Sequence, residues 1–174
     1  MSKVIIGIDP GIKGAIAAIN ANSMELLEVV DCPTTKNAGK AIYNISEMAD
    51  IVRHMSLYGK DVLVILEQQQ AMPKQGTTSM FSIGRGFGIW EGILATLGMP
   101  CRSVRPTVWT RRIFEGISGE GKFRSIRFAL QMFPGIELTP QRCKTPRDGR
   151  ADAACLAYWG MLWLNGTTAG GTGR

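Results

Sequence analysis

Val4-Ile5-Ile6-Gly7-Ile8 is an unbroken apolar run, rich in β-branched residues, that ends at Asp9-Pro10-Gly11. That is the pattern of a buried strand running into a turn. Gly14 to Ile19 and Leu26 to Val30 repeat the strand signal, so an antiparallel meander of three strands is expected at one edge of a sheet. Pro33 to Ala41 is polar, contains glycine and reads as a loop. The period then changes. Ile45, Met48, Val52 and Met55 are spaced three, four and three apart, the stripe of an amphipathic helix that Asn44 or Ser46 caps and Gly59 ends.

Val62 to Leu66, closed by Glu67, is apolar without alternation, as expected of a central strand covered on both faces. Gln68 to Thr78 reads as a polar loop. Ser79 to Leu97 follows as a long helix, although Gly84, Gly86, Gly88 and Gly92 each cost it up to about 1 kcal/mol relative to alanine. Glycines kept at that cost permit another backbone to approach. A fifth strand is expected near Cys101 to Val104, then helices over Thr107 to Phe114 and Gly121 to Phe133. A basic loop rich in Pro and Gly covers Pro134 to Arg147, and a last helix runs from Asp148 to Leu164. The order predicts an α/β domain over 1–165 with a single mixed five-stranded sheet flanked by helices. Residues 166–174 read as a flexible Gly/Thr-rich tail.

Composition narrows the class. A chain of 174 residues that is 45% hydrophobic and 20% charged suits one compact domain with a sizeable core. The net charge of +6 points toward a polyanionic partner such as nucleic acid. Cys32, Cys101, Cys143 and Cys155 are far apart and the one histidine is His54, so no zinc-ligand spacing exists. Isolated cysteines, no room for a signal peptide before the first strand and no apolar run near the roughly 20 residues that span a bilayer predict a cytoplasmic protein with no membrane partner. His54 lies among the helix stripe residues and reads as structural.

The chemistry lies in four acids. Asp9 and Glu67 close two apolar strands, and in open α/β sheets ligands bind outside the carboxyl ends of strands. If those strands are parallel neighbours, the two carboxylates converge. Asp148 and Asp152, four apart, share one face of the last helix, and Gly149, Ala151, Ala153 and Ala154 let that helix pack closely. Asp148 also suits a helix cap. Carboxylates without a histidine or thiolate cluster specify a hard divalent cation, Mg²⁺ or Mn²⁺. Two such ions roughly 4 Å apart support an in-line displacement at phosphorus.

These residues carry a resemblance. Ile6-Gly7-Ile8-Asp9-Pro10-Gly11 with Gly14-Ala15, Leu66-Glu67-Gln68, and Asp148-Gly149-Arg150-Ala151-Asp152-Ala153 resemble, in order, the three metal-ligand motifs of the RuvC-type Holliday junction resolvases, of the RNase H-like superfamily. Pro73-Lys74, Gln75-Gly76 and Gly86-Phe87-Gly88-Ile89-Trp90 resemble the phage and chloroplast branch. The likeness spans about Val4 to Trp159. It implies a metal-dependent homodimer, bacterial or phage, that makes paired symmetrical nicks in four-way DNA junctions. Asp9, Glu67, Asp148 and Asp152 would then ligate two Mg²⁺ or Mn²⁺ ions, and Lys122 would lie near the scissile phosphate. The helix from Ser79 to Leu97 would be the dimerisation helix, with Phe81, Gly84, Gly88 and Trp90 at the interface. Two departures stand out. The third-motif acids are four apart here and three apart in the bacterial enzymes. Met72 takes the place of an aromatic junction wedge, and either inserts between bases or tucks onto the core.

The second half of the chain is heavily basic. Lys74, Arg111, Arg112, Arg124, Lys144 and Arg147 are candidates for phosphate contacts, with Lys144 and Arg147, just before the last helix, the best placed. Trp109 either stacks on a base or anchors its own helix. One rival reading keeps the acids and changes the substrate to RNA or an RNA–DNA hybrid. A second, the ATP-binding branch of the wider fold, needs a longer chain. A third, a silent junction-binding module, does not explain four intact candidate ligands.

Overall fold

The computed structural model describes residues 3–70, 76–118, 121–140 and 143–169, with the side chains of Lys122 and of 167–169 left out. Strands β1 (Lys3–Ile8), β2 (Ala15–Asn20), β3 (Leu26–Asp31), β6 (Asp61–Glu67) and β7 (Cys101–Val104) form one sheet in the order β3-β2-β1-β6-β7. The meander β1–β2–β3 is antiparallel, whereas β6 lies parallel to β1 and β7 parallel to β6. This is the mixed five-stranded sheet expected from the sequence.

Alternation splits the core in two. Ile5, Ala15, Ala17, Ile19 and Ile65 face helices α3 (Pro106–Ile113), α4 (Lys122–Met132) and α5 (Asp148–Ala169). Val4, Ile6, Ile8, Ile16, Val64 and Leu66 face α1 (Ile45–Ser56) and α2 (Thr77–Thr96). Both faces of β1 and β6 are therefore covered, which is why their sequences lack polar alternation. Helix α5 lies close on β1. A Cβ at Gly7 would run into the Ala153 carbonyl, and Ala151, Ala153, Ala154 and Ala157 are fully buried beneath it.

Two expectations need correction. Residues 34–43, read as a loop, form a hairpin of β4 (Thr34–Asn37) and β5 (Lys40–Tyr43) outside the main sheet. Its Ala38-Gly39 turn has positive φ at both positions, the geometry of a tight hairpin turn. Nearly every residue in it is exposed, so no apolar alternation marks it in the sequence. At the other end α5 does not stop at Leu164 but continues through 165 to Ala169, and the rest of the expected tail, 170–174, lies outside the described residues. Helix α1 starts at an Asn44 cap as foreseen, its amide donating to Glu47 Oε2 at 2.7 Å.

Candidate active site

The β1–β6 register pairs Ile8 with Leu66, so Asp9 and Glu67 occupy the next rung at the carboxyl ends of two parallel strands. Ile8 and Leu66 point toward α1 and α2, and alternation therefore turns both acids to the face covered by α3, α4 and α5. The turn after β1 is shaped around Asp9. Its Oδ1 accepts the Gly11 N–H at 3.1 Å and its own N–H donates to the Ala15 carbonyl at 3.0 Å. A Cβ at Gly14 would lie 2.8 Å from Asp9 Cγ. Gly149 seats the start of α5 on this turn, where a Cβ would meet the Lys13 carbonyl at 2.6 Å. That contact brings the helical turn bearing Asp148 and Asp152 to the strand ends. From the opposite face the buried Tyr43 hydroxyl donates to the Pro10 carbonyl at 3.1 Å, in space that Gly86 leaves open. The close approach at Gly86 is thus made by the chain itself.

Glu67 is the electrostatic centre. Its carboxyl is pushed up to about 7, first by burial, then by the Asp9 charge and, less strongly, by Asp152. Hydrogen bonds from Trp109 Nε1 to Oε1 (2.9 Å) and from Gln69 Nε2 to Oε2 (3.0 Å) oppose that rise. Glu67 and Asp152 share a pocket of about 360 Å³ with Trp109, Phe114, Gly121 and Arg124.

A consequence follows for stability. Without a cation the folded carboxyl holds its proton to about pH 7, whereas the unfolded chain releases it near 4.5. The folded state binds more protons across that window, so stability is highest below it, falls as pH rises from 4.5 to 7, and then levels. The loss is on the order of 3 kcal/mol. In EDTA, Glu67→Gln should remove this slope, so that the variant is more stable than wild type at pH 7.5. Parallel urea midpoints for the two proteins across the window would refute it.

The donor set fits a hard divalent cation: Asp9, Glu67 and Asp152 interact electrostatically through carboxylates alone. Among the described residues, however, no three His, Cys, Asp or Glu side chains are spaced to hold one ion. The side-chain rotamers thus form no closed cage, while strand register sets Asp9 beside Glu67 and helix seating brings Asp152 into the Glu67 pocket. Carboxylate rotamers turn easily, whereas the β1–β6 ladder fixes the backbone that carries Asp9 and Glu67. Cys32, buried behind the turn, has its thiol pushed up to about 12, by burial first and then by Asp9 and Asp31, which keeps it neutral.

The remaining candidates are spread over several elements. Asp148 is the first residue of α5. Trp109 is 2% exposed and anchors α3 in the core, which excludes the base-stacking alternative and adds the bond to Glu67 that sequence reasoning missed. Arg124 lines the pocket, its guanidinium 4.9 Å from the Phe114 ring and its Nη2 donating to the Phe114 carbonyl at 2.8 Å. Arg111 and Arg112 are exposed on α3, and Arg112 reaches the Leu162 carbonyl at 3.3 Å. Lys144 is exposed. Arg147, expected to face DNA, is held at 2.7 Å by Asp31, which also binds Arg150. Met72 and Lys74 lie outside the described residues, and Lys122 is placed only by its backbone at the start of α4. His54 is exposed and contacts Tyr58, consistent with a structural role.

On α2, Phe81 is 75% exposed, and Gly84 and Gly88 have open space where a Cβ would stand. Trp90 is a correction: it is fully buried against Ile93 and Leu94 in its own core and cannot meet a partner helix. Its bulk belongs to the stripe that faces the sheet.

The sequence matches no protein-family model and no curated protein. The structure matches RuvC of T. thermophilus in complex with Holliday junction substrate, at 18% identity over 95% of this chain and 97% of that one, with a TM-score of 0.63. It also matches the yeast mitochondrial Holliday junction resolvase, at 16% identity over 95% of this chain and 80% of that one, with a TM-score of 0.59. The fowlpox virus resolvase complexed with Holliday junction DNA matches at 19% identity, over 92% and 98% of the two chains, with a TM-score of 0.50. At these identities the likeness is one of architecture: the chain has the same fold as RuvC and the yeast mitochondrial resolvase.

Proposed function

We propose that this protein is a divalent-cation-dependent endonuclease that resolves four-way DNA junctions as a homodimer. The observation that carries the reading is that Glu67 shares its pocket with Asp152 and ends the strand next to that of Asp9, on a fold shared with junction resolvases. Asp9, Glu67 and Asp152, with Asp148 on the same helical turn, would hold the cation. Two bound Mg²⁺ or Mn²⁺ ions would supply a nucleophilic water and stabilise the leaving oxygen. The chain itself does the rest. Arg124, fixed by the Phe114 ring and carbonyl, holds a positive charge in the pocket wall where a phosphate enters. Arg111, Arg112 and Lys144 add exposed cations that position the DNA backbone. Trp109 closes the pocket on its buried side. Among the described residues no helix is long and apolar enough to cross a membrane.

The test is a synthetic four-way junction incubated with and without Mg²⁺, beside duplex, single-stranded and RNA–DNA hybrid substrates of the same sequence. Paired nicks on opposing strands of the junction, dependent on Mg²⁺, are expected. Preferential cutting of the hybrid would move the protein to the RNA-processing branch of the fold.

The dimer reading rests on the outer face of α2. An apolar groove of about 410 Å³ between α1 and α2 is lined by Ile45, Ala49, Gly88, Ile89, Gly92 and Leu97, with Phe81 exposed on the same helix. Glycines at 88 and 92 allow a partner helix to approach closely, and a two-fold axis there would suit the symmetry of a four-way junction. Light scattering is expected to give twice the 18.9 kDa of the chain, and Gly88→Arg to give monomers with an unchanged circular dichroism spectrum. A monomeric wild type at micromolar concentration would exclude the paired-nick mechanism.

A further inference from the structure

Glu67 carries two side-chain donors, one on each oxygen: Trp109 Nε1 on Oε1 at 2.9 Å and Gln69 Nε2 on Oε2 at 3.0 Å. Both donors are neutral. An Arg or Lys in either place would cancel the carboxylate's charge, whereas an indole and an amide orient it and leave the charge in place. Each carboxylate oxygen has two lone pairs, so one donor per oxygen leaves one lone pair on each for another ligand.

The donors stand on rigid ground. Trp109 is 2% exposed, with its ring edge-on to Phe114 at 5.5 Å, and Phe114 is edge-on to Phe128 at 6.1 Å. The Gln68 N–H donates to the Val104 carbonyl at 2.7 Å, so the β6–β7 ladder runs one residue past Glu67 and fixes the backbone on which Gln69 follows. The torsion that turns a glutamate carboxylate is soft and two-fold, and left alone it samples many orientations.

We propose that Trp109 and Gln69 form a neutral two-donor clamp that positions the Glu67 carboxylate for a divalent cation. The clamp deepens the metal-site reading and rests on it. Outer partners of metal ligands typically set affinity by 10- to 100-fold, because they remove the cost of orienting the ligand when the ion binds. Sequence alone suggested no such role, since Trp109 lies 42 residues beyond Glu67 on another element.

Mn²⁺ binding to the full chain, measured from the electron paramagnetic resonance signal of free Mn²⁺, needs no DNA and no turnover. Trp109→Phe keeps an aromatic ring and removes the donor; it should weaken Mn²⁺ binding by roughly tenfold or more. Gln69→Leu should weaken it in the same direction. Val52→Ala, which opens a cavity under α1 on the opposite face of the sheet, should lower the melting temperature without changing the Mn²⁺ dissociation constant. Wild-type affinity in Trp109→Phe together with a lowered melting temperature would overturn the clamp and reduce Trp109 to a core residue. If Trp109→Phe does not fold, Gln69→Leu decides alone, and unchanged affinity there overturns the proposal. A wild-type protein that takes up no Mn²⁺ at millimolar concentration overturns the metal-site reading, and the clamp with it. That outcome is distinct from a wild type that binds and variants that bind equally well.

Discussion

Asp9→Asn and Glu67→Gln are each expected to reduce junction cleavage by roughly a thousandfold or more, about 4 kcal/mol in the barrier, while junction binding is retained or tightened. The two acids end parallel neighbouring strands on the same face of the sheet, and Glu67 already interacts with Asp9 and Asp152. Each amide keeps the shape of the acid and removes one negative charge. Asn at position 9 can still accept the Gly11 N–H through its carbonyl, so the turn survives. Gln at position 67 can still accept from Trp109, and the Gln69 amide can flip to meet the new donor. Lost charge therefore acts on the cation and leaves the fold intact. Removing a carboxylate beside the DNA path also reduces repulsion of phosphate, hence the tighter binding. Asp148→Asn should give a smaller loss, since Asp148 is not among the charges that raise Glu67. Cleavage at the wild-type rate by either main variant would remove that acid from the site.

The meander and the central strands were legible, because β1 and β6 bury both faces and so show unbroken apolar runs that end on an acid, but that these two strands are parallel neighbours was left as a condition. The second-half helices were legible to within a few residues, since Pro106, Gly121 and the stretch before Asp148 punctuate them. What failed to show either lacked an apolar pattern or depended on partners distant in sequence. The β4–β5 hairpin has no apolar face, and only Tyr43 at its end is buried. Trp90 looked like interface because α2 has more apolar positions than one stripe needs, and periodicity does not say which of them face the sheet. Trp109 signalled burial but not its bond to Glu67. Asp31 was passed over, although it also ends a strand at this edge of the sheet. β3 runs parallel to β1, so the reasoning that singled out Asp9 and Glu67 applied to Asp31 as well. Its arginine partners lie more than a hundred residues downstream, where no local pattern announces them.

Asp31→Ala is expected to destabilise the protein by about 3 kcal/mol, a fall in melting temperature of ~10 °C for a domain of this size. Asp31 Oδ1 accepts from Arg150 Nε and Oδ2 from Arg147 Nη1, both at 2.7 Å. Arg150 is the buried member, its side chain 10% exposed, and its Nη1 donates to the Glu137 carbonyl at 2.9 Å. Deleting the carboxylate leaves a guanidinium charge in a largely dry site with one remaining acceptor, which costs far more than the pair itself contributes. Asp31 is 30% exposed, so water softens the loss, and the lower end of the usual range applies. Arg147→Ala, at a side chain 43% exposed, should cost under ~1 kcal/mol, because its ion pair is screened. The network also matters for chemistry. Arg150 sits between Asp148 and Asp152 on the first turns of α5, and its bond to Asp31 ties that helix end to β3. Asp31→Ala should therefore lower cleavage at 25 °C in protein that remains folded, while Asp9→Asn lowers cleavage without lowering the melting temperature. Replacing both partners, Asp31→Leu with Arg150→Met, should recover most of the stability, since an apolar pair leaves no stranded charge. A melting temperature for Asp31→Ala within about 2 °C of wild type would show that Arg150 finds another partner or water, and that α5 is held in place by its alanine packing alone.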